Sequence, residues 1–371
     1  MLRCRLSYAK LVIYSDISTL SPQKHNIKTY IPMKIKKKPL LSIVAVLAVV
    51  TVITIGGSFY MLSYSLTPDP NRRDIDSAMQ VMFKRAPFMK AWTDSVKANG
   101  LLRDTFITRY DGRRLHAVYM RNENAHGRTA IIVHGYKDCH ATFLYLGRMY
   151  HKYLNCNILL PDLHAHGLSD GESIQMGWKD REDILDWANV ADKIFRDEKK
   201  QSAIVIHGVS MGAAATMCTA GERPPITIRC FIEDSGYTSV WDEFSKELRE
   251  QFSLPEFPLM YSASVICKLK NGWSFGEASP LKLMRWSIDP ILFIHGDKDT
   301  FVPTWMAHKL YETKTYSKQL WIAPGSEHAR AYLDHPEEYT QKVKDFLDMH
   351  MLQPDLYSPM HDLYHNMRIP R

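Results

Sequence analysis

Residues 204–215 read IVIHGVSMGAAA. A run of apolar residues closes on Gly208-Val209-Ser210-Met211-Gly212, and an alanine-rich stretch follows. A serine between two glycines where a buried strand meets a helix is either a helix cap or the reacting atom of a hydrolase. The pentapeptide alone arises by chance in roughly one chain in ten of this length. Its surroundings have to decide.

Outward from this stretch, the chain alternates strand and helix patterns. Residues 103–121 alternate apolar and polar side chains about Asp111-Gly112, a hairpin signal. Short apolar runs of the buried-strand kind follow at 129–135, 157–162, 202–208, 229–235, 290–297 and 319–325. Between them Ile184, Trp187, Ala188, Ala191, Ile194 and Phe195 share one helical face, as do Tyr339, Val343, Phe346 and Leu347 after Pro336. Apolar strands separated by helices predict a mainly parallel sheet covered on both sides. The interval 236–289 is long, rich in aromatic residues, and is expected to be a helical insertion over one end of that sheet.

In such a sheet ligands bind beyond the carboxyl ends of the strands. Ser210 stands at one such end. Asp299 follows another in H-G-D-K-D-T-F-V-P, and His328 follows the next in A-P-G-S-E-H. A serine hydroxyl is a weak nucleophile that needs a base, and the base needs an orienting group. The chain order Ser, Asp, His at successive strand ends supplies all three. Asp297 and Asp234 are the rival acids. His134, His207 and His295 each precede a glycine or end a strand and are read as structural. His164 and His166 form an H-x-H pair near Asp170, but "HAHGLSD" offers no third close ligand, so no metal or other cofactor is expected. Lys137 and Asp138 are read as solvated loop charges.

From about Arg103 to Leu347 the chain resembles the α/β-hydrolase superfamily, particularly its serine aminopeptidase-like and exported branch. The motifs stand in register: H-G-Y, "PDLHAHGLSDG", G-V-S-M-G, H-G-D-K-D-T-F-V-P and the late S-E-H. The resemblance implies an α/β-hydrolase fold, with a mainly parallel sheet of about eight strands flanked by helices and a small helical cap at 236–289. It implies Ser210 as nucleophile, His328 as base, Asp299 as orienting acid, and an oxyanion hole at the backbone N–H groups of Tyr136 and Met211. The chain departs from the family pattern in two places. His164 replaces the usual arginine of the D-x-R-G-H-G loop, and the H-G-G-G run of lipases acting on larger substrates is missing, which argues against long-chain lipase activity.

Charge and hydropathy then place the chain. The net charge of +7 is carried by residues 1–38, which hold nine Lys/Arg against Asp16 alone; the rest is near neutral. No basic surface is implied, and nucleic acid is excluded as a partner. Lys34–Lys38 precede a stretch without charge from Pro39 to Pro68, dense in Val, Ile, Leu and Ala. Residues 39–62 are expected to be a membrane-spanning signal anchor, retained rather than cleaved, with the catalytic domain outside the cytoplasm. Met33 opens M-K-I-K-K-K and is the expected start of translation, the alternative being a cytoplasmic tail. Residues 63–102 are expected to be a linker with a helical segment, and 351–371 a polar tail. The five cysteines beyond the span are odd in number and form no C-x-x-C pair, so buried free thiols are expected.

For substrate, the aromatic residues of the insertion, with Trp241, Phe244 and Trp273 foremost, are candidates for an apolar acyl pocket, although each serves equally well in the insertion's own core. A carboxylic ester with a short or aromatic acyl group is the first expectation. An amide or N-terminal peptide bond, cut by the same triad, is the alternative. A catalytically silent binding protein on the same fold is the third.

Overall fold

The computed structural model describes residues 37–198 and 201–351, with side chains from Leu41 onward. The expected leader (1–38, with its start at Met33) and tail (351–371) lie outside the described residues, apart from Lys37, Lys38 and Met351. The described residues divide into two units between Val49 and Val50.

One helix, α1 (Lys37–Leu66), crosses that division. It is longer than the expected span of 39–62 because no proline, glycine pair or charge stops it before Thr67-Pro68, and Gly56-Gly57 are absorbed within it. Its side chains from Leu41 to Ile55 are almost all exposed and apolar. Where a linker with a helical segment was expected there are two helices, α2 (Ile75–Arg85) and α3 (Met89–Ala98). Asp74 caps α2 by accepting from the Ser77 N–H at 3.0 Å.

The sheet has eight strands in the order β1-β2-β4-β3-β5-β6-β7-β8. They are β1 (Arg103–Thr108), β2 (Arg114–Met120), β3 (Arg128–Val133), β4 (Asn157–Pro161), β5 (Ala203–Val209), β6 (Ile228–Asp234), β7 (Ile291–Gly296) and β8 (Lys318–Ala323). The hairpin β1–β2 is antiparallel, β2 meets β4 antiparallel, and all later neighbours run parallel. Strands β3 and β5 explain why their sequences read as unbroken apolar runs. Ile131, Val133, Ile204 and Ile206 enter the core on one face, and Ala130, Ile132, Val205 and Val209 enter the core on the other.

The helices α4 (Leu144–Tyr153), α5 (Asp180–Phe195), α6 (Met211–Ala220), α7 (Val240–Phe252), α8 (Leu259–Asn271), α9 (Pro280–Met284), α10 (Trp305–Thr313), α11 (Ala331–Asp334) and α12 (Pro336–Met351) complete the chain. On α5 the buried residues Ile184, Trp187, Ala188, Ala191 and Phe195 form the stripe expected from their spacing. Every residue of α6 is buried, which its small Ala213–Ala215 face permits. The insertion 236–289 holds α7, α8 and α9. Cys139, Cys156, Cys218, Cys230 and Cys267 are free and buried.

Candidate active site

The chain leaves β3 for β4 on one side and returns to β5 on the other, so the crevice beyond the ends of β3 and β5 is a topological switch point. Ser210 lies there, between β5 and α6, with φ 57° and ψ −118°. That left-handed conformation is strained for a residue with a Cβ and costs about 1–3 kcal/mol, held in place by its surroundings. The hold is visible. The Ser210 N–H donates to Asp234 O at 2.8 Å. A Cβ on Gly208 would lie 2.0 Å from Gly212 O, and one on Gly212 would lie 2.2 Å from Val133 O. Both glycines of G-V-S-M-G are therefore demanded by close backbone approach, and the serine oxygen is presented on a turn that cannot relax.

His328 follows β8 and stands between Ser210 and Asp299. Its Nδ1 is 2.7 Å from Asp299 Oδ2, and its Nε2 is 2.8 Å from Ser210 Oγ. A carboxylate only accepts, so the Nδ1–H donates to it and Nε2 is left to accept from the serine hydroxyl. Asp299 Oδ1 accepts from the Val302 N–H at 2.8 Å. Burial alone would push the Asp299 carboxyl up, but hydrogen bonds from His295 and His328 and their charges bring it down to about 2. His295 Nε2 lies 3.2 Å from Asp299 Oδ2 and donates to Val302 O at 2.7 Å. The histidine read as structural thus braces the acid from behind.

The two rival acids are engaged elsewhere. Asp234 Oδ2 accepts from Tyr339 Oη at 2.8 Å, and its Oδ1 accepts from Ser235 Oγ at 2.9 Å. Asp297 Oδ1 accepts from the Gly325 N–H. His207 sits in a buried relay in which its Nδ1 meets Tyr150 Oη and its Nε2 meets Tyr339 Oη, each at 2.9 Å.

Tyr136 and Met211 flank the serine. Met211 is the first residue of α6, so its N–H belongs to the helix's unpaired N-terminal donors. Tyr136 lies in the loop after β3, where an ideal Cβ on neighbouring Gly135 would stand 3.5 Å from Ser210 Cβ. The Lys137 N–H donates to His166 Nε2 at 3.1 Å, and His166 Nδ1 donates to His164 O. The H-x-H pair is thereby turned to holding this loop. Burial lowers His166 to about 3 and His164 to about 4, so both rings are neutral. The Arg113 guanidinium packs against the His164 ring, in the loop where the family's usual arginine is missing.

Among the described residues, His116, His140 and Asp162 lie close enough to hold a metal ion. Both Asp162 oxygens already accept hydrogen bonds, from His116 Nδ1 at 2.8 Å, His140 Nδ1 at 2.9 Å and the N–H groups of His140 and Leu168. His116 Nε2 meets Asp104 at 2.8 Å. Both Asp162 oxygens, both His116 nitrogens and His140 Nδ1 are thus engaged in a hydrogen-bonded brace.

A cavity of about 190 Å³ opens over the serine. Its walls include Tyr136, Met176, Ser210, Met211, Phe244 and Phe301. Of the three pocket candidates, Phe244 lines it. Trp273 does not: it is fully buried beneath the cap, where its indole N–H donates to Gln175 Oε1 at 2.9 Å. Trp241 does not either, packing edge-on against Tyr261. Both serve the insertion's own core, since an indole needs a large apolar bed and one polar partner.

Sequence reasoning missed two sets of wall residues. Met61, Tyr64 and Ser65, near the end of α1, line the cavity, and Tyr136 Oη donates to Ser65 O at 2.7 Å. Glu243 also lines it, nearly fully buried, and its Oε2 has no hydrogen-bond partner among the described residues. Burial, helped by the nearby Glu247 carboxylate, raises Glu243 to about 8.

Comparison with known proteins gives the family and the fold. Residues 130–342 match the alpha/beta hydrolase family. The chain is 30% identical over 224 residues to the uncharacterized protein YqkD of Bacillus subtilis, covering 60% of this chain and 69% of that one. It is 25% identical to the alpha/beta hydrolase domain-containing protein WAV2 of Arabidopsis thaliana, over 68% of this chain and 80% of the relative. The esterase Pf2001 of Pyrococcus furiosus superposes with a TM-score of 0.54 at 24% identity, covering 69% of this chain and 95% of the esterase. That last likeness is one of fold.

Proposed function

The chain belongs to the alpha/beta hydrolase family, and from that premise we propose a membrane-anchored serine hydrolase that cleaves carboxylic esters through an acyl-enzyme. The observation that carries the proposal is the bridge from Ser210 Oγ through His328 to Asp299, at 2.8 and 2.7 Å. His328 takes the serine proton as Oγ attacks the carbonyl carbon. Asp299 keeps the imidazole in the right tautomer and offsets the charge it gains. The oxygen of the tetrahedral intermediate takes hydrogen bonds from the N–H groups of Tyr136 and Met211. His328 then returns the proton to the leaving alcohol, and water repeats the sequence on the acyl-enzyme. The walls formed by Met61, Met176, Phe244, Leu248, Phe252 and Phe301 favour an apolar acyl group of modest size.

The anchor rests on α1, whose residues 41–66 are long and apolar enough to cross a membrane. The lysines ahead of it put the catalytic domain outside the cytoplasm. A phosphatase fused after residue 75 is then active, and an inactive fusion overturns that orientation. The chemistry is tested with p-nitrophenyl esters of increasing acyl length against aminoacyl anilides on the solubilised full chain. Ester turnover that peaks at a short acyl group is the expected result. Faster cleavage of the anilides replaces the esterase with a peptidase.

Glu243 sets the alkaline limb of this activity. Its carboxyl is neutral below about 8 and ionises above it. A new negative charge in the cavity opposes the oxyanion forming at the same serine, so kcat falls as pH rises through that value. Glu243→Gln stays neutral and keeps kcat flat to higher pH. An unchanged alkaline limb in the variant shows that another group controls it.

A further inference from the structure

Helix α8 carries an unusual surface. Phe257, just ahead of it, and Tyr261, Val265 and Leu269 along it recur every four residues, so they form one stripe. Their exposures are 74, 53, 60 and 83%. The opposite face, with Met260, Ala263 and Cys267, is buried in the cap core. A surface helix normally turns such side chains inward, and exposed apolar stripes of this kind mark contact surfaces.

The position of the stripe says what it meets. Within the second unit, α8 packs directly on α1. Ser58 Oγ and Ser262 Oγ are 2.5 Å apart, and an ideal Cβ on Gly57 would lie 2.9 Å from Leu259 Cδ2. Gly57 is thus a contact point where any side chain would have to displace the tip of Leu259. Ser58 is seventeen residues beyond Leu41 in sequence, and a helix of that length covers about 26 Å at 1.5 Å per residue, close to the thickness of a hydrocarbon layer. Helix α8 therefore meets α1 where an anchor leaves the hydrocarbon. The next turns of α1 bear Tyr60 and Tyr64, the residue type that settles at that level, and no charge appears before Asp69.

The cavity begins at the same level. Tyr64 and Phe252 meet edge to face at 5.9 Å on its rim, and both rings are partly exposed. Tyr64 Oη donates to Gln251 Oε1 at 3.1 Å, tying the rim of α1 to α7. The anchor is in this way part of the pocket wall.

We propose that the stripe Phe257–Tyr261–Val265–Leu269 beds in the interfacial layer of the bilayer beside α1, and that the site takes its substrate from the membrane. The substrate class is an amphiphilic ester whose short acyl end enters past the rim that Tyr64 and Phe252 form while the rest of the molecule stays in the lipid. The substrate half of this proposal rests on the esterase reading above; the docking half does not. A lipid surface is favoured over a protein partner because α8 packs at Ser58 on a helix that is long and apolar enough to cross a membrane.

The test uses the full chain in phosphatidylcholine–phosphatidylglycerol vesicles. Leu269→Cys in a Cys4→Ser background carries an environment-sensitive fluorophore, since the other five cysteines are buried. Quenching by doxyl-labelled lipid, several-fold stronger than for a probe on Gln341→Cys of α12, is the expected result. Equal exposure of both probes to aqueous iodide overturns docking, as does shielding of residue 269 by a second copy or a protein without lipid quenching. In parallel, Val265→Glu/Leu269→Glu is assayed on p-nitrophenyl butyrate in detergent and on a hexadecyl-tailed coumarin butyrate held in vesicles. The expected pattern is detergent turnover within about twofold of the parent and vesicle turnover lower by at least tenfold. Equal changes on both substrates overturn the membrane route. If the parent cleaves neither butyrate, the esterase reading and the substrate half fall together, and the lipid quenching still decides the docking half.

Discussion

Ser210→Ala loses turnover and fluorophosphonate labelling together, and His328→Ala lowers kcat on the order of 10⁶-fold, as in other triads whose members act as one unit. The proposed mechanism requires this. Among the described residues the His328 Nε2, at 2.8 Å, is the group placed to take the Ser210 proton, and an unassisted hydroxyl is almost unreactive at neutral pH. Asp299→Asn is expected to cost about 10⁴-fold, because an amide in place of the carboxylate turns the imidazole to the wrong tautomer. The same change leaves His295 without its carboxylate partner, so the variant also melts earlier. His164→Ala is the control. Its ring touches Arg113 and its carbonyl holds His166, and the carbonyl survives the substitution. A loss of less than about tenfold is expected there, or about 1.4 kcal/mol in the barrier. Equal losses at His164 and His328 in folded protein would mean that the H-x-H pair takes part in the chemistry.

How much of this was legible in the sequence depends on the range of the interaction. The strands were legible because both faces of the sheet are covered, so β3, β5 and β7 read as continuous apolar runs. The Ser, Asp, His order was legible because parallel strands place their ends on one edge. The choice among acids was not, since Asp234, Asp297 and Asp299 all stand at or just past strand ends. It is fixed by which carboxylate is already engaged: Tyr339, more than a hundred residues downstream, takes Asp234. Aromatic residues in the insertion carry no mark of direction, which is why the sequence left Trp273 open between pocket and core, and the structure buries it in the core. Glu243 looked like any charge on an amphipathic helix. Its burial comes from the cavity wall around it. The role of α1 as that wall was least legible of all. It depends on a contact between Ser58 and Ser262, 204 positions apart, and an apolar span advertises its fit to lipid rather than to protein.

Gly212→Ala has the second large effect, and it separates a main-chain oxyanion hole from a side-chain one. The added methyl would lie 2.2 Å from Val133 O and 2.5 Å from His134 O, both backbone atoms of β3 and its loop. Neither can yield without moving the loop that carries Tyr136, and α6 cannot yield without moving Met211. Both proposed donors therefore shift away from the oxyanion. Each donor contributes about 3 kcal/mol in comparable sites, so a loss of at least 10²-fold in kcat is expected, with KM changed far less. Gly135→Ala is the milder neighbour. Its methyl meets Ser210 Cβ at 3.5 Å, an ordinary contact, and its loss is expected to be at least tenfold smaller. Tyr136→Phe keeps the N–H and removes only the hydroxyl bond to Ser65 O at 2.7 Å. That costs about 1 kcal/mol of stability and less than about tenfold in kcat. Circular dichroism and thermal melting check that each variant is folded before its kinetics are read. If folded Tyr136→Phe proves as inactive as Ser210→Ala, the phenol itself stabilises the charge and the backbone hole is wrong. If Gly212→Ala retains full kcat, the turn is not what aims the donors.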